Sequence, residues 1–500
     1  FLPGKAEIKD VVAQLEVRVP WATILPLHGS MDKEEQRRVF QKYSGVKIVV
    51  ATNVAETSIT IDDIDAVVDS GLERQNRVKN GVEGLFMNPI SKANCLQRAG
   101  RAGRVGPGEY VLAKYQGYPF IGMKDREDYG TPEIMRTRLD GMVLRLAKSG
   151  LDAEELDFYH QPNIKEIVDA KQRLKKLGAL REDGGVTKIG RDMERMPVES
   201  HYARMMIEAR KYGKEVQTQL SALLAVQEAG GICQFSSRAR SCGEYWRVLM
   251  DRNYNDSDLI KQMEVFVAAQ RMSNAEKREY DIFTKAFSTA TATMRQLRQV
   301  EKLKDQELTA PTKEQREQLV KCIIAGSVDN LYTSDWGSYV DVRGDRREVS
   351  NRSILSVGKM IVGSPFDLQI KTIRGIETLH IIEGATNVPS IELLREVAPQ
   401  LFERKDAGLN VNGGEVVRVY EQKFNGKTLS LESEREPAST ERQQFIIRHL
   451  INYHGSFIAN QANTEIRDLA ERSGMDLPLA DSTYIAMLLS GVVSEETTLE

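Results

Sequence analysis

Residues 46–62 of this chain read VKIVVATNVAETSITID. The β-branched run 46–51 predicts a buried strand that ends at Ala51, and the small polar residues after it predict a loop at its carboxyl end. A second short apolar run, 23–27, comes earlier, with a polar helical pattern between the two. This alternation is typical of a parallel sheet covered by helices. Ligands bind at the carboxyl ends of such strands, so we expect functional residues in the loops after Leu27 and Ala51.

The loops after both strands contain small polar groups that can hold a phosphate backbone. Thr52 and Asn53 combine a hydroxyl, an amide and backbone N–H groups, and Asp62 is a candidate acceptor for a ribose hydroxyl. Gly29 and Ser30 follow the earlier strand, where glycine permits a ligand to approach the backbone closely. Taken one at a time, threonine and asparagine after a strand are more often ordinary helix caps.

The segment 97–104, QRAGRAGR, is the most specific pattern in the chain. On a helix, Gln97, Arg101 and Arg104 would share one face, and the intervening glycines would let another face pack closely. Two guanidiniums aimed at a γ-phosphate can stabilise the charge that develops during phosphoryl transfer. A solvated charged helix is the alternative, and the glycine spacing favours the phosphate site.

The remaining patterns divide the chain into further regions. Asn80-Gly81 joins two alternating runs, 73–79 and 82–87, and predicts a β-hairpin. From Pro132 onward the pattern is helical, with an amphipathic helix over 164–177 and a short strand over 186–189. A long helix over 259–267 predicts a helical bundle, and short apolar runs at 339–342, 354–357 and 378–382 predict a small β-barrel.

Length, charge and cysteine content exclude several classes of protein. The chain has 500 residues, which predicts three or four domains, and its net charge of −3 identifies no partner. Four cysteines without a Cys-x-x-Cys pair argue against a disulfide framework or a zinc site, so we expect a cytoplasmic protein. The longest apolar stretch, 485–493, is shorter than the ~18 residues that a membrane span needs. Residues 1–4, FLPG, read as the end of a buried strand, and we expect the chain to be cut from a longer protein.

Together these pieces resemble the second RecA-like domain of the DEAH/RHA group of superfamily 2 ATP-dependent RNA helicases. Residues 1–4 resemble motif IV of that group, 28–30 motif IVa, 52–62 motif V and 97–104 motif VI. The hairpin over Asn80-Gly81 is a further mark of the DEAH group as against DEAD-box proteins.

The resemblance implies a multidomain α/β plus α fold. Its expected parts are a RecA-like parallel-sheet domain (1–115, with a β-hairpin at 73–90), a winged helix (116–190), a helical ratchet bundle (191–310), an OB-like β-barrel (311–400) and a mixed C-terminal region of unknown role (401–500).

The resemblance also implies roles for particular residues. Arg101 and Arg104 would be arginine fingers, and Gln97 would contact the γ-phosphate or the attacking water. The residues expected at the nucleotide are Ser58, Thr60 and Asp62. The residues expected to grip the RNA backbone are Gly29, Ser30, Thr52 and Asn53. Such a protein would move along single-stranded RNA from 3′ to 5′ with ATP and Mg²⁺.

The phosphate-binding half of the site is absent from this sequence. No Gly-x-x-x-x-Gly-Lys-[Ser/Thr] motif occurs in the chain, and there is no Asp-Glu-Ala-His. Residues 426–428, Gly-Lys-Thr, match the end of the first motif, but Glu421 occupies the position of its first glycine. Mg²⁺ would then be held by a missing first RecA-like domain, and we expect this chain alone not to hydrolyse ATP. The alternatives are a non-catalytic RNA-binding or assembly module and a DNA-directed helicase. No protein activator can be identified from the sequence.

The expected barrel contains a second group of candidates for single-stranded RNA, because OB-like folds combine charge with stacking aromatic side chains. These candidates are Trp336, Tyr339, Arg343, Arg346, Arg347, Arg352 and Lys359.

Overall fold

A computed structural model of the chain describes residues 1–31, 33–57, 61–233, 249–251, 253–355, 358–372 and 375–497. It divides into two compact units, 1–397 and 398–500. The described helices of the first unit are α1 (Lys5–Arg18), α2 (Lys33–Arg37), α3 (Val54–Thr57), α4 (Lys92–Ala99), α5 (Asp140–Lys148), α6 (Ile164–Lys176), α7 (Lys188–Glu194), α8 (Ser200–Ala209), α9 (Lys214–Glu228), α10 (Asp258–Ala268), α11 (Asn274–Glu279), α12 (Thr284–Val300), α13 (Lys313–Gly326) and α14 (Ile391–Val397). Its described strands are β1 (Thr23–Leu27), β2 (Lys47–Ala51), β3 (Ala66–Asp69), β4 (Leu72–Lys79), β5 (Val82–Pro89), β6 (Glu109–Leu112), β7 (Leu331–Asp335), β8 (Ser338–Val340), β9 (Arg346–Val349), β10 (Met360–Thr372) and β11 (Gly375–Asn387).

The N-terminal part of the first unit contains two pairs of parallel strands. β1 pairs with β2 from Thr23↔Lys47 to Leu27↔Ala51, and β3 pairs with β6. The apolar residues of β1 and β2 form a core with the segments that follow them, and its buried members are Leu25, Leu27, Val39, Ala51, Ala55 and Ile61. The predicted parallel arrangement is therefore confirmed, and the two loops expected to carry function leave the same edge.

The hairpin of β4 and β5 turns at Asn80 and Gly81, whose φ values of 53° and 75° suit a tight hairpin turn. Beyond this predicted turn, β5 pairs in parallel with β10, almost 300 residues further along the chain. Gly84 lies at this contact, where an added Cβ would come within 2.4 Å of the Asp367 carbonyl oxygen. Only glycine fits there, because the two backbones meet without room for a side chain.

Five strands of the same sheet form a closed ring. β7 pairs with β8 and β10, β8 pairs with β9, β9 pairs in parallel with β11, and β11 pairs with β10. Buried residues fill the interior of the ring: Tyr332, Tyr339, Ile361, Ile382 and Ala385. The predicted run 378–382 lies on β11, and the first two residues of the run 339–342 lie on β8, which ends at Val340. Ile354 and Leu355 are not in a strand, and 356–357 lie outside the described residues.

One short element among the described residues of the helical middle differs from the prediction. The predicted strand 186–189 is absent, because the Thr187 hydroxyl accepts a hydrogen bond from Gly190 N at 3.0 Å and begins α7. Val186 keeps only an isolated bridge to Leu180. The predicted long helices are confirmed, since α6 covers 164–176 and α10 covers 258–268.

The second unit contains an antiparallel sheet and two helices. They are β12 (Phe402–Asn412), β13 (Glu415–Phe424), β14 (Lys427–Arg435), α15 (Thr440–Ser473) and α16 (Ser482–Val492). Val416, Ile446 and Val493 form its buried core. α15 has 34 residues, yet neither it nor any other described helix is long and apolar enough to cross a membrane.

Candidate nucleotide and RNA site

The loops after β1 and β2 lie side by side. Thr52 N donates a hydrogen bond to the Leu27 carbonyl at 3.1 Å, which ties the start of one loop to the end of the other strand. Thr52 is half-buried and Asn53 is exposed, and their carbonyls accept hydrogen bonds from Ala55 N and Glu56 N. These four residues therefore form a tight turn that leaves the Asn53 amide on the surface.

The loop after β1 is open in front of its glycine. Gly29 and Ser30 are exposed, and a Cβ added at Gly29 would meet no atom within 4 Å. The Ser30 hydroxyl and His28 Nδ1 are joined by a hydrogen bond of 2.9 Å. Burial, followed by the nearby Lys5 charge, lowers the pKa of His28, which favours the neutral ring. Gly29 and Ser30 thus present backbone and hydroxyl groups at the surface.

A lysine from a distant helix contacts this loop. The Lys285 ammonium, on α12, donates a hydrogen bond to the Gly29 carbonyl. No local pattern could have predicted this contact, because the two residues are separated by 256 positions. It brings a cation to the edge where Gly29 and Ser30 are exposed.

The helix expected over 97–104 is shorter than predicted. α4 ends at Ala99, and Gly100 is its C-cap residue. The next two N–H groups, of Arg101 and Ala102, donate hydrogen bonds to the Arg98 and Ala99 carbonyls, which are three-residue turns and not α-helical bonds. The prediction of one helical face is therefore wrong, because two glycines in four residues oppose helix continuation. The expected close packing is also wrong, since both glycines are exposed and a Cβ at Gly103 would meet nothing within 4 Å.

The two arginines of this turn lie near one another and near the loop after β2. The Arg101 guanidinium donates a hydrogen bond to the Glu56 carbonyl, and Arg104 is exposed. Burial and the neighbouring Arg104 charge lower the pKa of Arg101. Because two cations repel each other here, an anion between them would be stabilised. Gln97, on the last turn of α4, is also exposed.

Arg98 forms the buried connection beneath this surface. Its Nε lies 2.9 Å from Glu56 Oε2 and its Nη1 lies 2.8 Å from Asp69 Oδ1, and its side chain is 1% exposed. Burial acts to lower the pKa of Arg98, but the two carboxylates outweigh it and raise that pKa above its usual value. Asn94 adds a hydrogen bond to Glu56, and Tyr110 adds one to Asp69.

This ion pair fixes α4 against α3 and β3, and it thereby positions Arg101. Arg98 was not singled out in the sequence, although its place three residues after the buried Cys95 puts both on the inward side of α4.

The structure brings most of the predicted site residues to connected surfaces. Gly29, Ser30, Thr52 and Asn53 lie at the shared edge of β1 and β2, and Arg101 contacts the segment after Asn53. Asp62 is exposed beyond α3. Ser58 and Thr60 lie outside the described residues.

Comparisons with known proteins show what this chain is similar to. Residues 1–106 match the family described as "Helicase conserved C-terminal domain". Over 222 residues the chain is 37% identical to the ATP-dependent RNA helicase HrpA of Escherichia coli K12, covering 43% of this chain and 17% of that protein. The resemblance to the C-terminal portion of a DEAH/RHA-type superfamily 2 helicase is confirmed.

Two solved structures share the fold. The Escherichia coli DExH-box NTPase HrpB aligns with a TM-score of 0.61 and 23% identity, over 98% of this chain and 55% of that one. A structure titled as the Escherichia coli DEAH/RHA helicase HrpB gives a TM-score of 0.61 and 22% identity, over 99% of this chain and 58% of that one. The chain therefore spans just over half the length of these structures, and they support a mixed α/β multidomain fold.

Proposed function

We propose that this chain is the C-terminal part of an ATP-dependent RNA helicase that moves 3′ to 5′. The observation that carries the proposal is the Arg98–Glu56 ion pair, which packs the 97–104 segment against the loop after β2. This ion pair places Arg101 beside the turn that begins at Thr52 and Asn53. The proposed nucleotide-binding arginines and the proposed RNA-binding residues are therefore held by the same buried contact.

The residues present fit a polyphosphate. Arg101 and Arg104 are neighbouring cations whose repulsion a phosphate would relieve, and Gln97 offers an exposed amide. We assign Arg101 and Arg104 as arginine fingers and Gln97 as the group that contacts the γ-phosphate or the attacking water. When bound, the nucleotide with Mg²⁺ supplies the phosphoryl group that is cleaved. The remaining nucleotide contacts in this proposal are Ser58, Thr60 and Asp62.

The proposed RNA grip consists of Gly29, Ser30, Thr52 and Asn53. Exposed hydroxyl, amide and N–H groups at the edge of a parallel sheet suit phosphate and sugar oxygens, and they do not read base edges. The grip would therefore have little sequence preference. RNA and ATP are partners of the whole protein in this proposal, together with a first RecA-like domain that supplies the Mg²⁺ ligands.

The finer domain division is part of the same proposal. Residues 116–190 would be a winged helix and 191–310 a ratchet bundle. The order β7, β8, β9, β11, β10, with β9 parallel to β11, supports an OB-like assignment for 311–400, since a five-stranded Greek-key barrel is that fold.

The test is RNA-stimulated ATP hydrolysis by the full-length protein. Arg101→Ala should lower turnover by about 10³ or more, the scale on which arginine fingers act. Arg18→Ala, which removes an exposed guanidinium at the end of α1, is the matched control and should leave turnover unchanged. A loss of less than about tenfold for Arg101→Ala would refute the finger role.

The 500-residue chain alone should bind single-stranded RNA but should not hydrolyse ATP. RNA-stimulated turnover by this chain would refute the assignment of the phosphate loop to a missing domain. Normal turnover combined with tighter binding to DNA would replace the RNA assignment with the DNA-directed alternative.

A further inference from the structure

Trp336 has the largest exposed fraction of the large apolar residues that the structure describes in the first unit. It lies between β7 and β8 with 97% of its surface exposed, and Gly337 follows it in the turn. Both residues have positive φ, 47° for Trp336 and 86° for Gly337, as in the two-residue turns that suit hairpins. The indole therefore stands at the tip of a short, backbone-defined turn.

Neither local conformation nor packing accounts for a tryptophan at this position. The first position of such a turn favours Asn, Asp or Gly, because a bulky side chain at positive φ is strained. Burial contributes nothing either, since almost the whole side chain is in water. A tryptophan that strains the backbone and gains nothing from burial indicates a binding role.

Two cations lie next to the strands that this turn joins, Arg346 on β9 and Lys359 just before β10. Arg346, on β9, donates a hydrogen bond from Nη1 to the Ser338 hydroxyl at 3.0 Å and pairs with Asp335, while 59% of its side chain stays exposed. On the other side, the Lys359 carbonyl accepts a hydrogen bond from Ser334 N at 2.8 Å, and Lys359 is exposed. Arg346 is thus bonded to residues on both sides of the Trp336-Gly337 turn, and Lys359 lies across from Ser334 on the other side of β7.

The structure removes two of the candidates that the sequence suggested for this barrel. Arg347 is buried and its Nη1 lies 2.8 Å from Asp367 Oδ1. Tyr339 is buried and donates a hydrogen bond to the Gly358 carbonyl at 2.9 Å. Both residues stabilise the barrel and are not accessible to a ligand.

We infer that Trp336 is a stacking platform for one base of single-stranded RNA, with Arg346 and Lys359 contacting the adjacent phosphates. This site rests on the proposed function and adds to it a contact on the barrel that is separate from the grip after β1 and β2. Because every base has an aromatic face, stacking here would tolerate any sequence. An aromatic side chain flanked by cations is the chemistry of single-strand binding sites.

The test is binding of a fluorescein-labelled 15-nucleotide oligouridylate to the full 500-residue chain, measured by anisotropy. Trp336→Asn installs a residue that the turn prefers, so it should fold at least as well as the parent chain. It should nevertheless bind at least about fivefold more weakly, since stacking on an aromatic side chain contributes about 1–3 kcal/mol per base. Trp336→Phe should keep most of the affinity.

The salt dependence separates stacking from charge. Trp336→Asn should leave the slope of log K against log salt unchanged, whereas Arg346→Gln should reduce it by about 0.7, the value for one phosphate contact on a single strand. Trp21→Asn, an exposed tryptophan before β1, is the matched control and should bind like the parent chain.

The two possible failures are distinguishable. If the parent chain binds RNA and Trp336→Asn binds equally well, the stacking site is refuted, the grip after β1 and β2 stands, and the indole is left as a contact for a protein. If the parent chain does not bind the oligonucleotide, the proposed function itself fails. A changed salt slope for Trp336→Asn would also refute stacking as the role.

Discussion

Replacing Arg98 by methionine tests whether the buried ion pair holds the candidate site together. The side chain is 1% exposed and donates to both Glu56 and Asp69, whose side chains are 6% and 0% exposed. Arg98→Met keeps similar length but leaves two buried carboxylates without their cation. Removing one member of a buried pair costs about 3–5 kcal/mol.

The remaining hydrogen bonds place this variant at the lower end of that range. Asp69 keeps Gly71 N at 2.8 Å and the Tyr110 hydroxyl at 2.9 Å, and Glu56 keeps Asn94 Nδ2 at 2.5 Å. We therefore expect a loss of about 3 kcal/mol in the free energy of unfolding. With a urea slope of about 3 kcal/mol/M, the unfolding midpoint would fall by about 1 M.

The assay is urea unfolding followed by far-UV circular dichroism. Arg104→Met, which removes an exposed guanidinium from the same segment, should change stability by no more than about 0.5 kcal/mol. In a double-mutant cycle, Arg98→Met with Glu56→Gln should cost less than the sum of the single changes by about 0.5–3 kcal/mol, because the two groups interact directly. A midpoint shift below about 0.3 M, or strict additivity, would refute the proposed anchoring role.

Two further predictions concern pH and backbone packing. Burial raises the pKa of Asp258 to about 6, above the 3.8 that is usual for an aspartate, while the hydrogen bond from Ile354 N at 3.0 Å acts in the opposite direction. The folded state therefore favours the protonated carboxyl, and the stability that it contributes is present at pH below about 4 and is lost as pH rises through 6. Asp258→Asn should remove this dependence and raise the free energy of unfolding, measured with urea, by about 2–3 kcal/mol at pH 8 but not at pH 4. An equal effect at both pH values would contradict this prediction. Gly84→Ala should lower the free energy of unfolding by about 1–3 kcal/mol or more, because the new Cβ would lie 2.4 Å from the Asp367 carbonyl oxygen, whereas Gly103→Ala, with open space around it, should be neutral in the same assay.

Several local features could be predicted from the sequence because their causes are local. The apolar runs at 23–27 and 46–51 gave the parallel strands β1 and β2, and the loops at their carboxyl ends followed from the topology of such sheets. Asn80-Gly81 predicted its turn because these residues tolerate positive φ.

Other local predictions failed where a competing local interaction was stronger. Gly100 ended α4 before Arg101, so the shared helical face of the arginines does not exist. The Thr187 hydroxyl began α7 where a short strand was predicted. In the first case two glycines in four residues opposed helix continuation, and in the second a hydroxyl cap outweighed a short apolar run.

The alternating strands and helices and the edge at which the two loops meet could be read from the sequence, since periodicity and turn preference act over a few residues. Only the tertiary structure decided which charges are buried and which strands join. Arg98 pairs with Glu56 and Asp69, which are 42 and 29 positions away in the sequence. β5 pairs with β10, which lies near the other end of the first unit in the sequence. Those partners depend on the packing of the entire chain, because an ion pair or a strand pairing between distant segments leaves no pattern within either one.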